Sequence, residues 1–169
     1  FLPDAETGQG LSNLDYAYIA SELGKNPLAS ECLNCSAPDT GNMEILAQFG
    51  TDDLKRRYLA PAISGEQVAA IAVTEPDAGT DTSRIRTLAV RRGDHWVING
   101  KKVWNTKAQQ AEKILLLART TPREQCTRPL DGMTLFLADL DRSCCEIREI
   151  PKLGRAAVDS SSSIRSRAA

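Results

Sequence analysis

The chain has 169 residues, of which 41% are hydrophobic and 25% are charged, and its formal net charge is -1. This balance is typical of a globular protein with a buried core and gives no basis for a polyanion-binding surface. The longest apolar runs, such as residues 114–118, are far shorter than the roughly 18 residues that a membrane-spanning helix needs. We therefore expect neither a nucleic-acid partner nor a membrane span.

The five cysteines are an odd number, and a chain with this much apolar sequence does not need disulfides in order to fold. We expect reduced thiols in an intracellular protein, and mitochondrial, peroxisomal and bacterial cytoplasmic locations all remain open. Cys32 and Cys35 have the spacing of half a zinc ribbon or of a redox pair. A zinc site needs two further ligands, and the chain offers few candidates, so packed or surface thiols are the favoured interpretation.

Three helices are predicted in the first third of the chain, because each apolar periodicity is bounded by a start signal and a stop signal. Their predicted limits are Ser12 to Gly24 or Pro27, Asp39 or Thr40 to Gly50, and Thr51 to Pro61 or Gly65.

From Gln67 the apolar period becomes strand-like, which predicts a domain boundary there. The predicted strands are 68–73, 85–91, 95–98, 101–106, 113–120, 133–140 and 145–150. Gly93-Asp94 and Asn99-Gly100 are two-residue hairpin signals between them. The pattern predicts an α+β fold, with N-terminal helices followed by a small antiparallel β-barrel or sandwich. The predicted divisions are a helical segment at 1–66, a β domain at 67–159 and a disordered tail at 160–169.

The segment from Thr74 to Asp81 is the first candidate site, because it leaves a predicted buried strand. Pro76 fixes one backbone angle, and Gly79 allows a ligand to approach the backbone closely. Such a loop can direct several N–H groups at one acceptor. An ordinary acidic turn is the alternative interpretation.

Trp104 is the second candidate, because in an extended strand its indole lies on the same face as the hydroxyl of Thr106. A flat aromatic wall beside a hydroxyl suits a flavin ring, which needs packing and a hydrogen bond. Core packing is the alternative for Trp104. His95 is interpreted as a solvated hairpin residue, and Lys101-Lys102 as the polar face of an edge strand.

Four motifs together resemble the acyl-CoA dehydrogenase family in order and spacing. They are YL at 58–59 followed by Gly65, AVTEPDAGTD at 72–81, GDHWVINGKKVW at 93–104, and KLG at 152–154. The segment NCSAPDTGNM at 34–43 resembles the branch sometimes called families ten and eleven. The resemblance implies the end of the family's N-terminal helical domain followed by all or most of its middle β domain.

The resemblance also implies a set of FAD-binding residues. Ile71, Val73 and Thr74 would line the flavin, while Trp104 and Thr106 would pack on and hydrogen-bond the isoalloxazine ring. By the same resemblance Gly79 and Thr80 would approach the cofactor phosphates or the substrate thioester, which makes Thr80 a substrate-binding candidate as well. Three positions depart from the family pattern, with Thr80 in place of Ser, Asn105 in place of Ile and Lys107 in place of Asn or Ser.

The resemblance assigns the catalytic glutamate to a C-terminal helical domain that these 169 residues do not include. We therefore expect no catalytic residue here, weak FAD binding by this chain alone, and either a fragment, a truncated gene model or a product unable to carry out the full reaction. The family partners would be an acyl-CoA, electron-transferring flavoprotein as acceptor, and further subunits in a homodimer or homotetramer. Two alternatives are a non-catalytic β module retained for binding, and acyl-CoA oxidase or flavin monooxygenase chemistry on the same scaffold.

Overall fold

The computed structural model describes residues 8–151 and 160–167, and for 160–167 only the backbone path is considered. The chain divides into two compact units, 1–68 and 69–169, two residues beyond the predicted boundary. The motif at 152–154 lies outside the described residues. No helix in the described part of the chain is both long enough and apolar enough to cross a membrane.

The first unit is helical, and three of its helices begin at side-chain caps, Ser12, Asn26 and Thr51. Ser12 accepts a hydrogen bond from the Asp15 amide, and Thr51 accepts one from the Leu54 amide, so both predicted start signals are confirmed. The elements are α1 Asn13–Leu23, α2 Pro27–Cys32, α3 Asp39–Phe49, α4 Asp52–Leu54, a π-helical segment Lys55–Leu59, and α5 Ala60–Ser64.

Two predicted helix ends each had a glycine and a proline as candidates, and in both the glycine is confirmed and the proline is wrong. Pro27 is the first residue of α2 and not a stop, because Asn26 caps that helix and proline suits the first helical position, where no N–H is needed. The third helix continues past Pro61 to Ser64 after its π-helical segment, and it ends at Gly65, whose φ of 77° is left-handed.

The second unit is an eight-stranded sheet. The strands are β1 Ala69–Ala72, β2 Leu88–Arg92, β3 His95–Asn99, β4 Lys102–Asn105, β5 Lys113–Arg119, β6 Met133–Asp139, β7 Cys145–Glu149 and β8 Ser160–Arg167. Their order is β1-β5-β2-β3-β8-β4, with β6 also on β5 and β7 also on β8. The core centres on β5, whose Ile114, Leu115, Leu116 and Ala118 are buried.

The predicted fold class of helices followed by a β domain is confirmed, but the sheet is mixed and it is not a closed antiparallel barrel. β1 pairs with β5 in parallel, with Ala69 opposite Lys113. β6 pairs with β5 in antiparallel fashion along its whole length. The short period-2 pattern predicts strands but carries no information on their direction, which accounts for the difference.

Two further predictions differ from the structure. Residues 160–167, predicted to be disordered from their polar side chains, form β8, because strand pairing uses backbone groups that every residue except proline supplies in full. The predicted hairpin at Asn99-Gly100 is also wrong, since β3 and β4 each pair with β8 and not with each other. The Gly93-Asp94 hairpin is confirmed between β2 and β3.

Gly100 is required because Thr87 packs closely against it, and not because of a turn. A Cβ atom at this position would lie 2.6 Å from both Cβ and Cγ2 of Thr87, which is closer than carbon atoms can approach. The chain therefore uses glycine here so that the segment between β3 and β4 can pass against Thr87.

We predict that Gly100→Ala destabilises the β domain by about 1–3 kcal/mol, because the added methyl forces either Thr87 or the backbone to move. The measurement is the free energy of unfolding in urea. Gly79→Ala is the matched control, since a Cβ there would meet no heavy atom of the described chain within 4 Å. Equal stability of the two variants would contradict the prediction.

Candidate functional site

The candidate site is built where the segment after β1 meets β4. The Val103 amide donates to the Thr74 carbonyl at 2.9 Å, and the Lys102 ammonium donates to the Val73 carbonyl at 2.9 Å. Thr74 and Trp104 are thus held on neighbouring segments of the β domain. Ile71 lies on the half-buried face of β1, and Val73 and Thr74 are half-buried as well.

A buried carboxylate lies beneath this junction. Glu75 is 7% exposed and accepts four hydrogen bonds, from the Arg86 amide at 2.8 Å, the Thr87 amide at 3.0 Å, the Thr87 hydroxyl at 2.5 Å and the Lys102 ammonium at 2.9 Å. Lys102 is fully buried. The pair therefore joins three segments, the loop after β1, the residues before β2, and β4.

The electrostatics of this pair follow from its burial and its partners. Burial alone would raise the pKa of Glu75, but the hydrogen bonds from the Thr87 hydroxyl, the Arg86 amide, Lys102 and the Thr87 amide outweigh it and hold the pKa below the ordinary 4.5. Burial lowers the pKa of Lys102 from its ordinary 10.5, and the hydrogen bond and charge of Glu75 oppose this shift only in part. Glu75 is thus held by its donors as a carboxylate, which makes it a weak base.

Trp104 has an unusual backbone conformation. Its φ is 61°, in the left-handed region, and the register of β4 against β8 shifts between Lys102 and Asn105. For a bulky residue such a conformation costs roughly 1–3 kcal/mol and persists only where the surroundings impose it. Trp104 is nevertheless 58% exposed, so core packing, the alternative interpretation of this residue, does not describe it.

The predicted same-face relation of Trp104 and Thr106 does not follow from strand alternation in the structure. β4 ends at Asn105, and Thr106 begins a turn in which Lys107 is also left-handed, with a φ of 62°. Alternation of side chains holds only along extended backbone, and the positive φ of Trp104 interrupts it. Thr106 is half-buried at the end of this strand.

Gly79 and Thr80 lie further along the loop and are both exposed. Thr80 lines a cleft of about 800 Å³ together with 81–83 and 128–131. The residues that line this cleft do not include Trp104, so this cavity does not bring Thr80 and Trp104 together.

The two walls of the cleft are held by one buried side chain, Arg119 at the end of β5. Arg119 is 2% exposed and donates to four backbone carbonyls, those of Ser83 at 2.6 Å, Ile85 at 2.7 Å, Pro129 at 2.9 Å and Asp131 at 3.1 Å. Its planar fork of donors suits several acceptors at once. Arg119 therefore fixes the distance between the 80–83 wall and the 128–131 wall.

The sequence pattern did not indicate these buried charges. Lys101-Lys102 was interpreted as an exposed edge, which is wrong for Lys102, because the strand turns this side chain inward onto Glu75. Arg119 follows the apolar run of β5, and its position at the end of a buried strand was the available signal that its charge could face inward.

The described residues hold no group of three or more His, Cys, Asp or Glu side chains placed to bind a metal ion. All five cysteines are free thiols. His95 is partly exposed, with its Nδ1 3.1 Å from the carboxylate of the neighbouring Asp94.

Comparison with known proteins decides the family. The family model described as "Acyl-CoA dehydrogenase, middle domain" matches residues 70–165, and "Acyl-CoA dehydrogenase, N-terminal domain" matches residues 1–66. The chain belongs to the acyl-CoA dehydrogenase family. The two matches together cover both units of the structure.

Two curated relatives agree with the branch that the sequence resembles. Acyl-CoA dehydrogenase family member 11 of Gallus gallus is 40% identical over 130 residues, which are 76% of this chain and 16% of the relative. Acyl-CoA dehydrogenase family member 10 of Mus musculus is 43% identical over 105 residues, which are 62% of this chain and 10% of the relative. The chain thus spans less than a fifth of these acyl-CoA dehydrogenase relatives.

Two solved structures support the same assignment. A protein of Mycobacterium abscessus assigned to the acyl-CoA dehydrogenases is 33% identical, with a TM-score of 0.87 over 97% of this chain and 41% of that one. A glutaryl-CoA dehydrogenase of Mycobacterium smegmatis in complex with FADH2 is 27% identical, with a TM-score of 0.63 over 75% of this chain and 31% of that one.

We predict that Glu75 makes the β domain sensitive to acid. A carboxyl whose pKa is lower in the folded than in the unfolded state contributes stability above the unfolded value of 4.5, and that stability is lost as pH falls through the folded value. The wild-type chain should therefore lose stability progressively below pH 4.5. Glu75→Gln should be less stable at neutral pH and should lose less on acidification, as measured by urea unfolding at a series of pH values.

Asp77→Asn is the control for this titration, because it removes an exposed carboxylate two positions away. It should retain the wild-type acid profile. An acid limb of the Glu75→Gln profile as steep as that of the wild type would contradict the assignment to Glu75.

We also predict that Arg119→Met destabilises the β domain by about 3 kcal/mol or more, because it leaves four backbone carbonyls without this donor. Proteolysis should then cut within 122–131 faster than in the wild type, and mass spectrometry would locate the cut. Arg123→Met is the control, since Arg123 donates only a long 3.4 Å hydrogen bond to the exposed Cys126 carbonyl. Unchanged protection of the loop in Arg119→Met would show that other contacts hold it.

Proposed function

We propose that this chain supplies part of the flavin and substrate site of an FAD-dependent acyl-CoA dehydrogenase. In the whole protein the reaction would convert an acyl-CoA thioester to the trans-2-enoyl-CoA, a step of fatty acid β-oxidation. The observation that carries this proposal is Trp104, an exposed indole held in a strained backbone conformation beside Thr74. Strain of this kind concentrates at ligand-binding sites.

The residues present fit a flavin. The exposed indole of Trp104 offers a flat apolar wall of the kind on which an aromatic ring packs. Ile71 and Val73 provide half-buried apolar surface, and Thr74 and Thr106 carry hydroxyl groups that can hydrogen-bond ring heteroatoms.

Gly79 supports the same proposal from the other end of the loop. Its missing side chain is not explained by crowding or by a left-handed backbone, because a Cβ there would meet no heavy atom of the described chain within 4 Å and its φ is not positive. Something outside the described chain that approaches closely would account for it. The phosphates of the cofactor or the thioester end of the substrate, beside Thr80, are the groups proposed.

When bound, FAD would accept the hydride from the substrate β-carbon. The chain's own residues would hold the ring, exclude water from one face and orient the substrate end. Proton abstraction from the α-carbon is assigned elsewhere, because Glu75 is held by four donors and Asp81 accepts from both the amide and the hydroxyl of Ser83. Electron-transferring flavoprotein as acceptor, an intracellular location and a homodimeric or homotetrameric assembly belong to the same proposal.

The test is FAD binding by residues 1–169, followed through the fluorescence of the flavin itself so that the readout does not depend on Trp104. We expect weak but saturable binding, since the site offers an open surface and most of a ligand must be buried for high affinity. Trp104→Ala should raise the dissociation constant for FAD about tenfold, because an aromatic pair contributes roughly 0.5–1.5 kcal/mol beyond the area it buries.

Trp96→Phe is the matched control. Trp96 packs edge-to-face on Phe136 with ring centroids 5.4 Å apart, and phenylalanine preserves an aromatic contact there. This variant should bind FAD as the wild type does. Absence of saturable FAD binding by the wild-type chain, or equal affinity of Trp104→Ala and wild type, would refute the proposal.

A further inference from the structure

The strained conformation of Trp104 needs something to impose it. A left-handed φ at a bulky exposed residue would relax if the strand on either side were free to move. Exposure of the indole means that packing of the Trp104 side chain within the described chain supplies little of this restraint. The restraint must therefore act on the neighbouring residues of β4.

The residues immediately before Trp104 are held by directional bonds. Lys102 places its ammonium 2.9 Å from the Val73 carbonyl and 2.9 Å from Oε1 of Glu75, and Val103 donates its amide to the Thr74 carbonyl at 2.9 Å. Two successive residues of β4 are thus fixed on the three consecutive residues that contain Thr74. The same contacts orient both Trp104 and Thr74.

Glu75 in turn is fixed from a third direction. Its Oε2 accepts from the Arg86 amide, and its Oε1 accepts from the amide and hydroxyl of Thr87. Removal of Lys102 would therefore leave the carboxylate with three protein donors. What would be lost is the link from this carboxylate to β4.

A buried ion pair is a poor device for stability alone, because desolvation of both charges offsets much of their attraction. An apolar pair of similar volume would fill the same space. It would not specify the direction in which β4 leaves the pair, since apolar contacts are not directional. A lysine with three donors and two acceptors within 2.9 Å does specify it.

We propose that the Lys102–Glu75 pair is a positioning device that sets Trp104 and Thr74 in place for the flavin ring. Both are positioning residues, and neither touches the ligand. The inference rests on the proposed function for its ligand, but the placement of Trp104 can be measured without any ligand.

The test uses residues 1–169 in a Trp96→Phe background, which leaves Trp104 as the one remaining tryptophan of the two in the sequence. Lys102→Met is compared with Thr87→Val. Each variant removes one donor from the same oxygen, Oε1 of Glu75, but only Lys102→Met cuts the link to β4. The readouts are the melting temperature, the near-ultraviolet circular dichroism and fluorescence anisotropy of Trp104, and the dissociation constant for FAD.

We expect both variants to melt at lower temperature than the parent. Lys102→Met should lose about half or more of the Trp104 dichroism and should bind FAD about tenfold more weakly, since a misplaced aromatic wall forfeits its stacking contribution. Thr87→Val should keep the dichroism and bind FAD within about twofold of the parent. This is a smaller change in binding free energy than the loss of one aromatic contact would cause.

Every other outcome contradicts either this inference or the proposed function. Retention of Trp104 dichroism and FAD affinity by Lys102→Met overturns the inference, and so does an equal loss in Thr87→Val, which would make the network merely structural. If the parent does not bind FAD, the proposed function fails, while the dichroism comparison still decides whether the pair positions Trp104. If Lys102→Met does not fold, the Lys102→Met/Glu75→Gln double variant replaces it, and failure of both to fold while Thr87→Val folds also overturns the inference.

Discussion

The hydrogen bonds from one buried ammonium join parts of the β domain that are far apart in sequence. Lys102 of β4 contacts Val73 and Glu75 after β1, and Glu75 contacts Thr87 before β2. The surface that carries Thr74 and Trp104 exists only where these segments meet. Gly100 belongs to the same arrangement, because it lets the chain pass against Thr87 and enter β4 at the position where Lys102 reaches the carboxylate.

Arg119 repeats this principle at the cleft lined by Thr80. In both places a long cationic side chain leaves a strand and bonds backbone carbonyls of the loops beyond, one carbonyl for Lys102 and four for Arg119. Loops have few backbone partners of their own, and a buried polar group without a partner is costly. Side chains from the strands thus donate the hydrogen bonds that the loop carbonyls would otherwise lack. The outer faces of the loops are left available for a ligand.

The sequence predicted the elements well and their assembly poorly, for physical reasons that particular residues show. Ser12, Thr51 and Gly65 act through contacts within a few residues, so their helix limits could be read from the chain. The direction of β1 against β5 and the insertion of β8 between β3 and β4 depend on pairing between distant segments, which a local period does not encode. Trp104 was found as a candidate, but its left-handed backbone and the buried partner at Lys102 depend on tertiary contacts.

The parallel pairing of β1 with β5 has a consequence for how the domain assembles. Ala69 can pair with Lys113 only after the chain closes the loop between β1 and β5. This loop is several times longer than the loop between Arg119 of β5 and Met133 of β6. Loop-closure entropy rises with loop length, and long-range pairings slow folding. The β5–β6 hairpin therefore forms at the lower entropic cost of loop closure. The junction that presents Thr74 and Trp104 depends on the pairing of β1 with β5, whose entropic cost is higher. A chain that has formed only the first pairing would have β5 and β6 paired but would lack the surface that carries Thr74 and Trp104.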